Sequence, residues 1–153
     1  MRNYLLTLLS LTLSLSSAVN PARCAEDLKL RNGLSFNQDI DNGFPIVCTN
    51  LEDCKISTTT PTLIFFGASG DLNTNRQAKR VVDLYKKLPD KNVKFIVIDV
   101  DKAPNADAKH LISTYYKGYI PCEVLFDKSG KQVWNHDGEV ELNVVKAQID
   151  KLL

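Results

Sequence analysis

The side chains of this 153-residue chain best suited to covalent chemistry are four cysteines, Cys24, Cys48, Cys54 and Cys122. A thiol reacts as its thiolate, so its use depends on neighbours or a helix start that lower its pKa. Cys48 and Cys54 form a C-x5-C pair. That spacing lacks the C-x-x-C geometry that activates a thiol at a helix start, and in an oxidising compartment a structural bridge between the two is the expectation. Closing so short a loop is worth about 2 kcal/mol on chain-entropy grounds. Cys122 is then the odd thiol. Inside the apolar run from Ile120 to Phe126 it reads as a small buried hydrophobe, with a mixed disulfide to a partner as its reactive alternative. An atypical thiol oxidoreductase built on Cys122, or on Cys48 and Cys54, is the enzymatic reading of the same residues. His110 and His136 have no cysteine or acid at ligand spacing, so no metal site is expected.

The second feature with chemical potential is the turn in "LIFFGASGDLNTNRQ", Leu63 to Gln77. An apolar strand, two glycines and a helix start could hold a phosphate on free amides, and "FGASGDL" resembles the phosphate loop of glucose-6-phosphate dehydrogenases. Asp99, closing the next strand, stands where a ribose acceptor would be wanted. Against a nucleotide, Gly67 and Gly70 lack the third glycine that lets helix and strand pack closely. The chain is also too short for both mononucleotide halves. No cofactor is expected.

The elements that must position these residues are clear from Pro61 onward. "TLIFFGA" and "VKFIVIDV" are continuous apolar runs of the buried-strand type. Between them Ala78, Val81, Val82, Tyr85 and Leu88 make one helical stripe that Pro89 ends, and Thr74-x-x-Gln77 resembles a capping box at its start. Ala108, Leu111, Ile112 and Tyr115 predict a second helix, stopped at Gly118. "IPCEVLFD" and "KQVWNHD" read as a hairpin turned by Lys128-Ser129-Gly130, with Trp134 as packing, and Leu142, Val145, Ile149 and Leu152 predict a last helix. Signals are weaker earlier: Phe36 and Ile40 behind Ser35 suggest a short helix closed by Asn42-Gly43, "FPIVC" a short strand, and Thr49-x-x-Glu52 a capped turn. A β-α-β unit followed by a hairpin requires a mixed sheet flanked by helices, the α/β class.

Leu5 to Leu15 is an eleven-residue apolar run behind Met1-Arg2, followed by small residues, which is the plan of a secretory signal. The run is about half the roughly 20 residues that span a bilayer, so cleaved export is expected rather than an anchor. Cleavage fits after Ala18 or Ala25, which divides the chain into a signal over 1–25 and one domain over 26–153. The expected location is periplasmic or secreted. With 19 Lys and Arg against 18 Asp and Glu, net charge +1, no basic patch calls for nucleic acid or a membrane surface.

From residue 41 onward the order and spacing of motifs resemble the thioredoxin superfamily. "TPTLIFFGASGDLNTNRQ" runs in register with that superfamily's active-site strand and helix, and "VKFIVIDVDKAP" is similar to its next strand. "YYKGYIPCEVLFDKSGKQVWNHDG" is similar to its cis-proline and terminal hairpin. "DNGFPI" and "PCEVLFDKSGK" are most similar to exported proteins of the TlpA and ResA type. The resemblance implies a thioredoxin-like mixed sheet, a cis Ile120-Pro121 bond, and Asp71 and Thr74 at the positions of the two catalytic cysteines. Dithiol exchange needs an attacking and a resolving thiol, and Asp71-Leu72-Asn73-Thr74 provides neither. Phe65 stands where many thioredoxins bury an acid, which implies that the proton-handling group is missing too. What remains is a surface of Gly70, Asp71, Thr74, Ile120 and Pro121, expected to bind a protein or peptide partner as an added strand, with Asp71 and Thr74 capping the helix and the protein a monomer.

Overall fold

The computed structural model describes residues 26–49, 53–88 and 92–153. The expected signal segment, residues 50–52 of the expected Thr49-x-x-Glu52 turn and Pro89 lie outside the described residues.

Two apolar strands lie at the centre because every one of their inner positions can be covered on both faces. β3 (Thr62–Gly67) is buried throughout, and β4 (Lys94–Asp99) is buried at its four inner residues. They pair in parallel, Leu63 with Phe95 and Phe66 with Ile98. The crossover between them is α1 (Leu72–Lys87), whose buried stripe includes Ala78, Val81, Val82, Leu84 and Tyr85. α2 (Ala106–Tyr115), capped by the Asn105 side chain, follows β4. β5 (Cys122–Phe126) returns antiparallel to β3, and β6 (Gln132–Asp137) completes the hairpin. The sheet order is β4-β3-β5-β6, and α3 (Leu142–Asp150) closes the chain. The strand, helix and hairpin order from residue 61 is that expected from the sequence. It gives an α/β mixed sheet between helices.

Alternation along the strands divides the core in two. Leu63, Phe65, Phe95, Val97 and Leu125 face α1 and α3 with Ala78, Val81, Val145 and Ile149. Ile64, Phe66, Ile96, Ile98, Cys122, Val124 and Phe126 face α2 with Ala108 and Leu111.

The N-terminal region departs from expectation. β1 (Glu26–Leu30), which the sequence did not signal, pairs antiparallel with β2 (Ile46–Thr49) as a separate two-stranded sheet. Leu28 and Ile46 place this small sheet against the α1 side of the core. The helix expected around Phe36 and Ile40 is absent: the segment between β1 and β2 is irregular, held by turn bonds of its own and by the Ser35 and Phe36 carbonyls and the Asp39 carboxylate accepting from α1. The capping box is also one turn out of place. Asp71, not Thr74, is the N-cap, its carboxylate accepting from the Thr74 amide.

Candidate functional site

The corner that the sequence marks for chemistry lies at the carboxyl end of β3. β5 is paired so that Cys122 opposes Phe66, which brings Pro121 to the same end of the sheet as Gly67 and the turn that follows it. The Ile120-Pro121 peptide is cis. The turn is tightly built. A side chain on Gly67 would put its first carbon 2.4 Å from Thr74 Cγ2, and Gly70 takes a φ of +84° with its open face against Asp41.

The site residues do not remain available as expected. Thr74 is 0% exposed, and its hydroxyl accepts from the Ala68 amide at 3.3 Å, so it knits the turn to the helix and presents nothing to solvent. Asp71 is half-buried and occupied with its cap. The segment from Ser35 to Asp41 lies across the head of α1: the Leu72 amide donates to Asp39 Oδ1 at 2.8 Å, Asn75 Nδ2 to the Ser35 carbonyl at 2.9 Å, and Arg76 Nε to the Phe36 carbonyl at 3.1 Å. The chain therefore covers with its own backbone the place where a ligand was expected. The same geometry disfavours a phosphate, because two carboxylates, Asp39 and Asp71, already accept the first helix amides. Asp99 is engaged likewise, accepting from Ser69 Oγ at 2.7 Å and from the Asp101 amide at 3.1 Å. Gly70 and Ile120 remain half-buried and Pro121 is buried, while their neighbour Tyr119 is 66% exposed.

No described cysteine is poised as a nucleophile. Cys122 is 1% exposed; burial first, then a hydrogen bond and the charge of Asp137 across the hairpin, push its thiol up to about 12. At neutral pH its thiolate fraction is on the order of 10⁻⁵. The expected Cys48–Cys54 bridge is not formed. Cys48 packs on the α1 side of the core and Cys54 belongs to the α2 side, so the sheet separates two thiols that are close in sequence. Burial raises each to about 11, for Cys54 with help from Asp53 and Asp107. His110 lines a small cavity of about 210 Å³ with Cys54 and Asp107. His136 stacks on Trp134, their ring centres 6.0 Å apart.

A buried acid is present after all, one strand away from where it was sought. Glu123 opposes Phe65 in the β3–β5 register and is 1% exposed. Gln77 Nε2 donates to its Oε1 at 2.6 Å, while Gln77 Oε1 accepts from the Val140 amide at 3.0 Å and from Arg80. Arg80 in turn pairs with Glu139 and Glu141. Among the described residues Glu123 Oε2 has no partner, and burial raises the carboxyl to about 7 against the opposing pull of Gln77 and Arg80. The signal was available as the one acid in an otherwise apolar strand, "CEVLF". Its partner was not, since Gln77 reads as a capping residue.

This architecture is a thioredoxin-like fold. The chain superposes on a single-residue mutant of thioredoxin from Halobacterium salinarum NRC-1 with a TM-score of 0.54 and 24% identity, over 69% of this chain and 85% of that one. For thioredoxin from Fasciola hepatica the values are 0.52 and 23%, over 63% and 85%. For oxidised mitochondrial thioredoxin 3 from Saccharomyces cerevisiae they are 0.50 and 20%, over 63% and 83%. At these identities the likeness is one of fold. No family model and no curated protein matches the chain.

Proposed function

We propose that this protein is an exported thioredoxin-fold module without dithiol chemistry that binds a protein or peptide partner in a redox-accessory role. The observation that carries the reading is the head of α1. Where the resemblance to TlpA- and ResA-type proteins expects two cysteines, Asp71 caps the helix and Thr74 is buried in the turn. The remaining thiol of that corner, Cys122, is buried and held protonated. Binding is supported by Tyr119, a large aromatic side chain left in solvent immediately before Ile120 and Pro121. Aromatic anchors of this kind dominate protein interfaces. The partner surface is therefore Gly70, Tyr119 and Ile120: of the set expected from sequence, Asp71 is occupied as the cap and Thr74 and Pro121 are buried, and Tyr119 is added. The apolar run from Leu5 to Leu15 supports export, with a signal over 1–25 and the domain acting as a monomer.

The test is insulin reduction with dithiothreitol. The purified protein is expected to give no turbidity above the dithiothreitol background. Turnover that disappears in Cys122→Ser would overturn the reading in favour of a thiol enzyme.

A further inference from the structure

We propose a second binding site, on the outer edge of β4, in which an extended acidic peptide segment adds to it as a strand. β4 is the terminal strand of its sheet, and among the described residues no strand pairs with its outer side. Lys94 donates its amide to Pro61 and Val100 donates its own to Gly67, both toward β3. Amides alternate in direction along a strand, so those of Phe95, Val97 and Asp99 point outward. An apolar strand with a row of free amides is a template for pairing, and natural edges are normally blunted by a lysine, a proline or a bulge. The interior of β4, Phe95-Ile96-Val97-Ile98, has none of these.

Beside this edge is a cleft of about 270 Å³, between β4 and the separate β1–β2 sheet. Its lining includes Ile46 and Cys48 from β2, Val97 and Asp99 from β4, and the cations Arg31 and Lys102. Arg31 spends Nε on the Phe44 carbonyl at 2.8 Å. Among the described residues neither Arg31 nor Lys102 has a salt bridge, whereas Arg76, Arg80 and Lys94 each have one. The one carboxylate of the lining, Asp99, already accepts from Ser69 Oγ and the Asp101 amide, so Arg31 and Lys102 over an apolar wall call for a further carboxylate carried on an apolar body. The volume lies just below the roughly 300–1,000 Å³ of small-molecule pockets. It suits one or two side chains of a peptide passing along the strand, with main-chain bonds supplying affinity and the two cations selecting an acid.

The site shares no residue with the Tyr119 corner, so the two readings fail separately. The experiment titrates the ¹⁵N-labelled protein with an acetylated, amidated peptide as long as β4, alternating valine and threonine with one central glutamate. Shifts are expected at Val97, Asp99 and Val47, with slowed hydrogen exchange at the outward amides of Val97 and Asp99. Replacing the peptide's glutamate by lysine, or making Arg31→Ala with Lys102→Ala, is expected to weaken binding about tenfold. Equal affinity for the lysine peptide, or shifts confined to residues 118–121, would refute the site. So would Val97 and Asp99 amides already protected in the free protein, whether by this chain's own N-terminal residues or, if protection rises with concentration, by a second copy.

Discussion

Two regions of the β3–β4 pair, the corner at its carboxyl end and the outer side of β4, make opposite use of their polar groups. At the head of α1 the Leu72 and Thr74 amides are taken by Asp39 and Asp71, and the Ala68 amide by Thr74, so the corner is closed by the protein itself. At the outer edge of β4 the amides of Val97 and Asp99 point away from β3, and among the described residues Arg31 and Lys102 beside it have no salt bridge. A polar group already paired within the chain has little to gain from a ligand, whereas a solvent-facing one exchanges water for the ligand at a net gain of about 0.5–1.5 kcal/mol per bond. Sequence directs attention to the first region because its glycines and its resemblance to a catalytic corner are conspicuous. Hydrogen-bond accounting directs it to the second.

The largest test of the closed corner's rigidity is the network beneath it. Gln77→Leu leaves both Glu123 oxygens and the Val140 amide buried without partners, which is expected to cost about 3 kcal/mol by denaturant unfolding. A cost within a few tenths would mean that water reaches the network and that this side of the core is less closed than the geometry implies.

Glu123 provides a test of similar size in pH. Its carboxyl is raised from the ordinary 4.5 to about 7, so the folded protein binds more protons than the unfolded chain between those values. The sign follows: no penalty below pH 4.5, where both states are protonated, a growing loss of stability as pH rises to 7, and a constant loss of about 3 kcal/mol above it. Glu123→Gln keeps an acceptor for Gln77 and removes the ionisation. The stability of this variant relative to wild type is expected to rise from pH 4.5 to 7; a difference independent of pH would contradict the buried acid.

The cap gives the smallest effect and the sharpest contrast between regions. Asp71→Ala is expected to cost about 1 kcal/mol, and Asp39→Ala about 0.5 kcal/mol. If Asp39→Ala also released the Ser35–Asp41 segment, hydrogen exchange at Leu72 and Asn75 would accelerate with no change at Val97. Equal acceleration in both places would erase the distinction between a closed corner and an open edge.

How much was legible follows the range of the interactions involved. β3, α1, β4, α2, the hairpin and α3 could be read because strand and helix periodicities are local and strong. β1 could not, since "EDLKL" is short and charged and becomes a strand only by pairing with β2. Phe36 and Ile40 have helical spacing, yet the segment's polar groups find better partners on α1, some 40 residues away. The C-x5-C spacing of Cys48 and Cys54 invites a bridge that the intervening sheet prevents.

By itself the sequence determined the class of fold, the order of its elements and the absence of both thiols at the turn, because these depend on residue type and on contacts within a few positions. Only the tertiary structure decided that Thr74 is buried, that a carboxyl sits opposite Phe65 on the next strand, that residues 35–41 close the corner and that no described strand pairs with the outer side of β4. Each of these depends on which segment, distant in the chain, satisfies a given hydrogen bond or charge, and no local pattern specifies that partner.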